Sequence, residues 1–330
     1  MNERASECIE PINNIADRSG HRRIVVLGAA GFLGSAMADH LARQGHEVVA
    51  FWRRPLPKIA KLPGIISVIG DLRDTWVLAD AIEGADLVYH FASVTHPSMF
   101  FNNPSAEYWE AFQPLMVLME TAARQRVKKI VFPSSGGTIY ANSSEVRSEV
   151  SATDPQSPYA IFKLAGEQLL RHAARQGQFS VDIFRVGNPY GPGQPCRPGQ
   201  GVLPHWIESV HQQQPIKIFG DGSSERDYIY IDDVCRLMSL SCLRLDDSET
   251  FNLGTGRATT LLGLLEQFRQ WIPSDFPVEF LPGRASDVQS IVLDPSRLLS
   301  QTSNFKFTAL AEGLKRTLTH HRLFENHKEA

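Results

Sequence analysis

Tyr159 and Lys163 are two residues placed to move a proton together. They lie four apart in SPYAIFK, which on a helix puts both on one face. An ammonium beside a phenol favours the phenolate, so Lys163 is expected to lower the pKa of Tyr159. A phenol tuned in that way could exchange a proton with a hydroxyl group near neutral pH. Tyr-x-x-x-Lys spacing is common in helices, and its weight here comes from its place in the chain, after an apolar run that ends FPSSGGTIY.

A second constellation stands near the other end of the chain. VVLGAAGFLG places Gly28, Gly31 and Gly34 between an apolar run and an amphipathic one. A tight strand-to-helix turn needs unusual dihedrals, and a backbone that touches a pyrophosphate can carry no side chain there. The following helix N-terminus offers free N–H groups and the positive end of its dipole. The motif therefore predicts a dinucleotide site. Lys163 would also hold the nicotinamide ribose, and the positive nicotinamide ring would add to its effect on Tyr159. Such sites usually carry an acid about twenty residues on, at the end of the second strand, for the ribose hydroxyls. Here the stretch reads EVVAFWRRP, and Arg53 and Arg54 follow Trp52 where the acid is missing. An arginine pair can meet a 2′-phosphate instead. The cofactor reading is NAD or NADP, with the arginines favouring NADP.

The elements that must position these groups alternate. RIVVLGA, HEVVAFW, ISVIGDL, DLVYHFA, KKIVFPSS and FSVDIFRVG read as strands, and amphipathic segments between most of them read as helices. A long helical segment is expected from about Ser105 to Gln125, with Pro114 marking a start or kink. Nearly continuous apolar strands suit a parallel sheet covered on both faces. The fold class is α/β: a Rossmann doubly wound parallel sheet with a smaller mixed α/β C-terminal substrate domain. The expected division is a flexible tail over 1–20, an NAD(P)-binding domain over 21–187 and a mainly substrate-binding part over 188–330. Segments of about 227–256 would return to the first domain. NPYGPGQPCRPGQG after the last of these strands reads as an irregular loop.

Composition narrows the classes. The chain has 330 residues, 42% hydrophobic and 21% charged, with a net charge of −3. That balance argues against a general nucleic-acid binder, and no apolar run reaches membrane-span length. The first twenty residues are polar and lack a secretory apolar core. Cys8, Cys196, Cys235 and Cys242 show no metal-ligand spacing, which suits reduced thiols in the cytoplasm. No metal is expected. His90 and His96 flank the expected cofactor crevice without partners in a catalytic order.

Taken together, GAAGFLG, GDL (Gly70 to Leu72), HFAS (His90 to Ser93), SSGGTIY, SPYAIFK, NPYGPGQ, FGDGSSERDYIYIDDV, FNLGTG and GRASDV resemble the extended short-chain dehydrogenase/reductase family, in its nucleotide-sugar epimerase/dehydratase branch. The resemblance runs from Arg22 to about Leu323. It implies that Gly28, Gly31, Phe32, Leu33 and Gly34 line the dinucleotide phosphates. Asp71 and Leu72 would contact the adenine, and Phe91, Ala92 and Ser93 would lie along the cofactor. Tyr159 would be the acid/base and Lys163 its electrostatic partner. A serine that binds the reacting sugar oxygen falls at Ser135 when counted forward from the strand and at Gly136 when counted back from Tyr140. Ser135 carries the hydroxyl, with Thr138 in reserve. Asn188, Arg226, Arg284 and Asp287 would bind the sugar nucleotide, although Arg226 could instead pair with the adjacent Asp227. GVLP (Gly201 to Pro204) and IKIF (Ile216 to Phe219) would border the base.

The activity implied is NAD(P)-dependent 4-epimerisation of a nucleoside-diphosphate sugar of the UDP-hexose type, by transient oxidation at sugar C4, in a homodimer. The alternative is an NADPH-dependent nucleotide-4-keto-sugar reductase, and the remote one a non-catalytic NADP(H)-sensing protein. A 4,6-dehydratase is disfavoured because Gly136-Gly137 stands where that branch places an Asp-Glu pair. The family's asparagine in the long helix is also missing from YWEAFQPLMVLMETA.

Overall fold

The computed structural model describes residues 20–54, 63–93, 104–142, 145–197, 201–272, 275–283 and 289–323. Of the positions singled out above, Arg284, Asp287, His96, Cys8 and nearly all of the N-terminal tail lie outside the described residues.

The apolar runs form β1 (Arg23–Leu27), β2 (Glu47–Trp52), β3 (Ile65–Ile69), β4 (Leu87–His90), β5 (Lys129–Ser135) and β6 (Ser180–Val186). Between them run α1 (Phe32–Arg43), α2 (Thr75–Ile82), α3 (Pro104–Arg124) and α4 (Pro158–Arg175). The strands lie in the order β3-β2-β1-β4-β5-β6, all parallel. Alternation along each strand feeds two separate cores. On β1, Ile24 and Val26 pack on one face, and Val25 and Leu27 on the other. The chain therefore reverses direction across the sheet between β1 and β4, and a crevice opens at the carboxyl ends of those strands.

The helices begin where their caps place them. Asp74 accepts from the N–H groups of Trp76 and Val77 at the start of α2. Ser157 accepts from Ala160 N at 3.2 Å, and Pro158 pre-sets the first helical position of α4. That cap sets Tyr159 in the first turn of its helix. The backbone of α3 runs through Pro114 rather than starting there. Pro114, which offers no N–H, and Glu110, whose carbonyl loses that partner, both line the large cavity described below.

The C-terminal part is assembled from shorter pieces. They are β7 (Asn188–Tyr190), α5 (Val202–His211), β8 (Ile216–Phe219), β9 (Glu225–Arg226), β10 (Tyr228–Tyr230), α6 (Ile231–Met238), β11 (Glu249–Leu253), β12 (Thr259–Thr260), α7 (Leu261–Arg269), β13 (Val278–Leu281), β14 (Ser290–Ile291), α8 (Ser296–Leu299) and α9 (Leu310–His320). β11 rejoins the main sheet beside β6 as its seventh strand, again parallel. The opening of the Pro/Gly-rich stretch is not irregular. Asn188–Tyr190 pairs in parallel with β10, because Asn188 N finds the Asp227 carbonyl at 2.8 Å. β8 pairs with β13, and the two-residue β9 lies between β12 and β14.

Candidate active site

A single cavity of about 2030 Å³ runs from the glycine turn, past the ends of β4 and β5, to the C-terminal part. It brings together Gly28, Gly31, Phe32, Leu33, Gly34, Arg53, Arg54, Asp71, Leu72, Phe91, Ala92 and Ser93 at one end. Ser135, Thr138, Tyr159 and Lys163 stand at its middle, and Asn188 and Arg226 beyond them.

The glycines have distinct physical reasons. Gly28 has φ +80°, and a Cβ there would lie 2.5 Å from Ala92 N. A Cβ on Gly34 would run into the Gly28 carbonyl oxygen. Gly28 N and Ala29 N both donate to Phe51 O, at 3.0 and 3.2 Å, which ties the turn to the end of β2. Gly31 caps α1 without a side-chain hydrogen bond, so no side chain occupies the first turn's N–H groups. The cradle fits the diphosphate of a dinucleotide. Next to it, Arg53 and Arg54 are exposed on the cavity wall. Asp71 is gripped by Arg73 through two contacts of 2.9 and 2.6 Å. That fork holds the Asp71 carboxyl down at about 2, with the Arg53 charge adding to the effect.

At the centre, Tyr159 and Lys163 share a face of α4, and the ammonium nitrogen lies 5.8 Å from the phenol ring centroid. Here the expected direction of the tyrosine shift is wrong. Burial pushes the Tyr159 phenol above its ordinary value, and the opposing influence is a hydrogen bond from the Ser135 side chain rather than the lysine charge. Lys163 Nζ donates instead to Pro133 O at 2.8 Å and sits 4.9 Å over the Phe132 ring. Burial lowers the lysine to about 8, opposed by the carboxylate of Glu167 one turn further on. Sequence reasoning missed Glu167, although its helical spacing from Tyr159 and Lys163 was a signal that could have found it. Glu167 is fully buried and holds Arg185 on β6 at 2.8 Å, and so pins α4 to the sheet.

The register ambiguity at the serine resolves on packing. A Cβ on Gly136 would lie 2.5 Å from Leu293 Cδ1, so that site has no room for a serine, whereas Ser135 lines the cavity together with Tyr159. Gly137 has open space around it, with nothing nearer than 3.8 Å. Thr138 is not merely a substitute for Ser135, because its hydroxyl donates to Ser135 Oγ at 2.9 Å. His90 ends β4 as a buried ring stacked on Phe132, and burial brings it down to about 3, so it stays neutral.

Arg226 does not pair with its neighbour Asp227. The Asp227 carboxylate accepts from Thr255 N and Oγ1 at 2.8 and 2.7 Å, from Gly256 N at 3.0 Å and from Leu293 N at 3.2 Å. Arg226 donates to the Glu225 carbonyl and has no carboxylate partner among the described residues. The structural role of Asp227 was missed because its partners are far away in sequence.

The family model described as "NAD dependent epimerase/dehydratase family" matches residues 24–254. The chain belongs to that family. Family members with similar sequences include a UDP-glucose 4-epimerase of Mycolicibacterium smegmatis, 29% identical over 90% of this chain and 97% of the relative. A dTDP-4-dehydro-6-deoxyglucose reductase of Escherichia coli is 25% identical over 89% and 96%. Among solved structures, UDP-glucose 4-epimerase of Thermotoga maritima with UDP-glucose is 30% identical, with TM-score 0.82 over 91% of this chain and 98% of that one. The Thermus thermophilus UDP-glucose 4-epimerase complex with NAD gives TM-score 0.83 at 28% identity, over 91% and 99%.

Proposed function

We propose that this chain is an NAD(P)-dependent 4-epimerase of nucleoside-diphosphate hexoses, of the UDP-hexose type. The observation that carries the reading is the meeting of Tyr159, Ser135 and Lys163 at the junction of the glycine-lined crevice and a chamber whose Arg226 guanidinium has no carboxylate partner among the described residues. Gly28 to Gly34, Asp71, Leu72 and Phe91 to Ser93 would hold the dinucleotide. Bound there, the nicotinamide supplies reversible hydride exchange with the sugar C4. Tyr159 moves the proton of the C4 hydroxyl, and Ser135 steadies the same oxygen with a hydrogen bond. Lys163 keeps a positive charge beside them and would hold the nicotinamide ribose. Arg226 and Asn188 would bind the diphosphate and sugar, with Arg284 and Asp287 assigned to the same ligand. Residues 188–330, apart from about 227–256, would form the substrate half.

The finer cofactor reading is NADP(H), supported by the two exposed arginines after β2 and by the missing acid. The same pair supports a second reading, reduction of a 4-keto sugar by NADPH. A homodimer through α3 and α4 is supported by the apolar groups these adjacent helices leave in solvent: Trp109 at 63%, Met116 at 39% and Ile161 at 38% exposure. Cys196, Cys235 and Cys242 are unpaired, which suits the cytoplasm. No described helix is long and apolar enough to cross a membrane.

The test is incubation with UDP-hexoses, with and without added NADPH. Sugar isomerised with no net change in dinucleotide absorbance is the expected result. Steady NADPH consumption, and only with 4-keto sugars, would establish the reductase reading instead.

A further inference from the structure

The middle of the cavity is lined by three hydroxyl-bearing side chains, Ser135, Thr138 and Tyr159. β5 ends at Ser135, and the chain turns back at once through Gly136 and Gly137. Gly136 N donates to Val186 O at 2.8 Å, and the space a Gly136 side chain would fill is taken by Leu293. The turn brings Thr138 over Ser135. Its N–H approaches the Ser135 carbonyl at 3.4 Å, and its hydroxyl donates to Ser135 Oγ at 2.9 Å. Ser135 is buried, while Thr138 is half-exposed on the cavity wall.

A serine hydroxyl has one hydrogen and two lone pairs. Once one lone pair accepts from Thr138, the hydrogen of Ser135 is free to point away from Thr138, into the part of the cavity that Tyr159 also lines. We propose that Thr138 is a positioning residue: by donating to Ser135 it fixes Ser135 as a donor to Tyr159 and so sets the acidity of the tyrosine. Chains of hydrogen bonds strengthen one another in a low-dielectric site, and a donor to a phenolate favours the charged form. Other charges near the tyrosine are differently engaged. Lys163 on α4 donates to Pro133 O, His90 at the end of β4 is neutral, Glu167 is held by Arg185, and Arg226 stands further along the cavity. This role differs from direct contact between Thr138 and the sugar, and it rests on Tyr159 being the proton carrier of the proposed reaction.

The experiment reads the tyrosine without any sugar. The fraction of Tyr159 ionised at pH 10, the ordinary tyrosine value, is taken from the phenolate absorbance against a Tyr159→Phe blank. It is measured in the wild type, Thr138→Val, Thr138→Ser, Ser135→Ala and the Ser135→Ala/Thr138→Val double variant. Thr138→Val should lower that fraction about three- to tenfold, the loss expected when the phenolate is deprived of one oriented hydrogen-bond donor. Thr138→Ser should restore it, because the hydroxyl returns. The double variant should equal Ser135→Ala alone, because Thr138 acts only through Ser135. An unchanged fraction in Thr138→Val, or an additive double variant, overturns the proposal. Inactivity on every UDP-hexose would defeat the epimerase reading and leave this titration as it is.

Discussion

On the proposed reading, the two halves of the cavity would recognise by different means. At the glycine end, proposed for the cofactor, the work would be done by backbone: Gly28, Gly31 and Gly34 are close in sequence and carry no side chain. At the other end, proposed for the substrate, it would be done by side chains on short strands from remote segments. β9, which carries Arg226, is two residues long and is held between 259–260 and 290–291. Asp227, one residue on, ties together 255, 256 and 293. A shape made by backbone can be written in ten consecutive residues. A charged chamber has to be assembled, and a buried carboxylate receiving four hydrogen bonds is what assembles it here.

The comparison can be broken at the glycine turn first. Gly28→Ala forces a side chain into the Ala92 backbone at positive φ. Strain of about 1–3 kcal/mol or more should cut dinucleotide affinity by roughly a hundredfold and lower the melting temperature. Gly137→Ala, on the open side of the cavity, should leave both the fold and dinucleotide affinity unchanged. Isothermal titration of the pair checks this, and equal losses would mean that the contrast between packed and open glycines is false.

At the other end, Arg226→Met should raise the KM for the sugar nucleotide about tenfold to fiftyfold, the loss of a charge-assisted contact to phosphate. Dinucleotide affinity should not move, so a parallel drop in both would show that the two halves are not separable. The smallest effect belongs to the exposed pair. Arg53→Asp should weaken NADP(H) about fivefold more than NAD(H), and more so at low salt. Equal loss for both would reduce Arg53 and Arg54 to a solvated strand end.

Much of the fold was legible because its signals are local. Alternating apolar runs, a glycine turn at the first strand–helix junction and the four-residue spacing of Tyr159 and Lys163 each depend on neighbours within a few residues. The approximate place of the arginines at the end of β2 follows from the same count. Of the expected site, the grouping was more legible than the behaviour: Tyr159, Lys163 and Ser135 were named and line one cavity. The direction of the tyrosine's pKa change was misjudged because spacing reveals which side chains share a helix face, not how deeply they are buried or where an ammonium donates.

The sequence by itself therefore determined the order of strands and helices, the cradle at Gly28 to Gly34 and the pairing of Tyr159 with Lys163 on one face. All of these follow from short-range periodicity and backbone sterics. Tertiary structure decided that position 135 and not position 136 has room for the hydroxyl, because Leu293 fills the space beside Gly136. It also decided that Arg226 is free of Asp227, because Thr255, Gly256 and Leu293 claim that carboxylate. Burial and hydrogen-bond partners are set by residues tens of positions away. Which group is acidic, which is neutral and which cation stays available for a ligand become definite only when those residues meet.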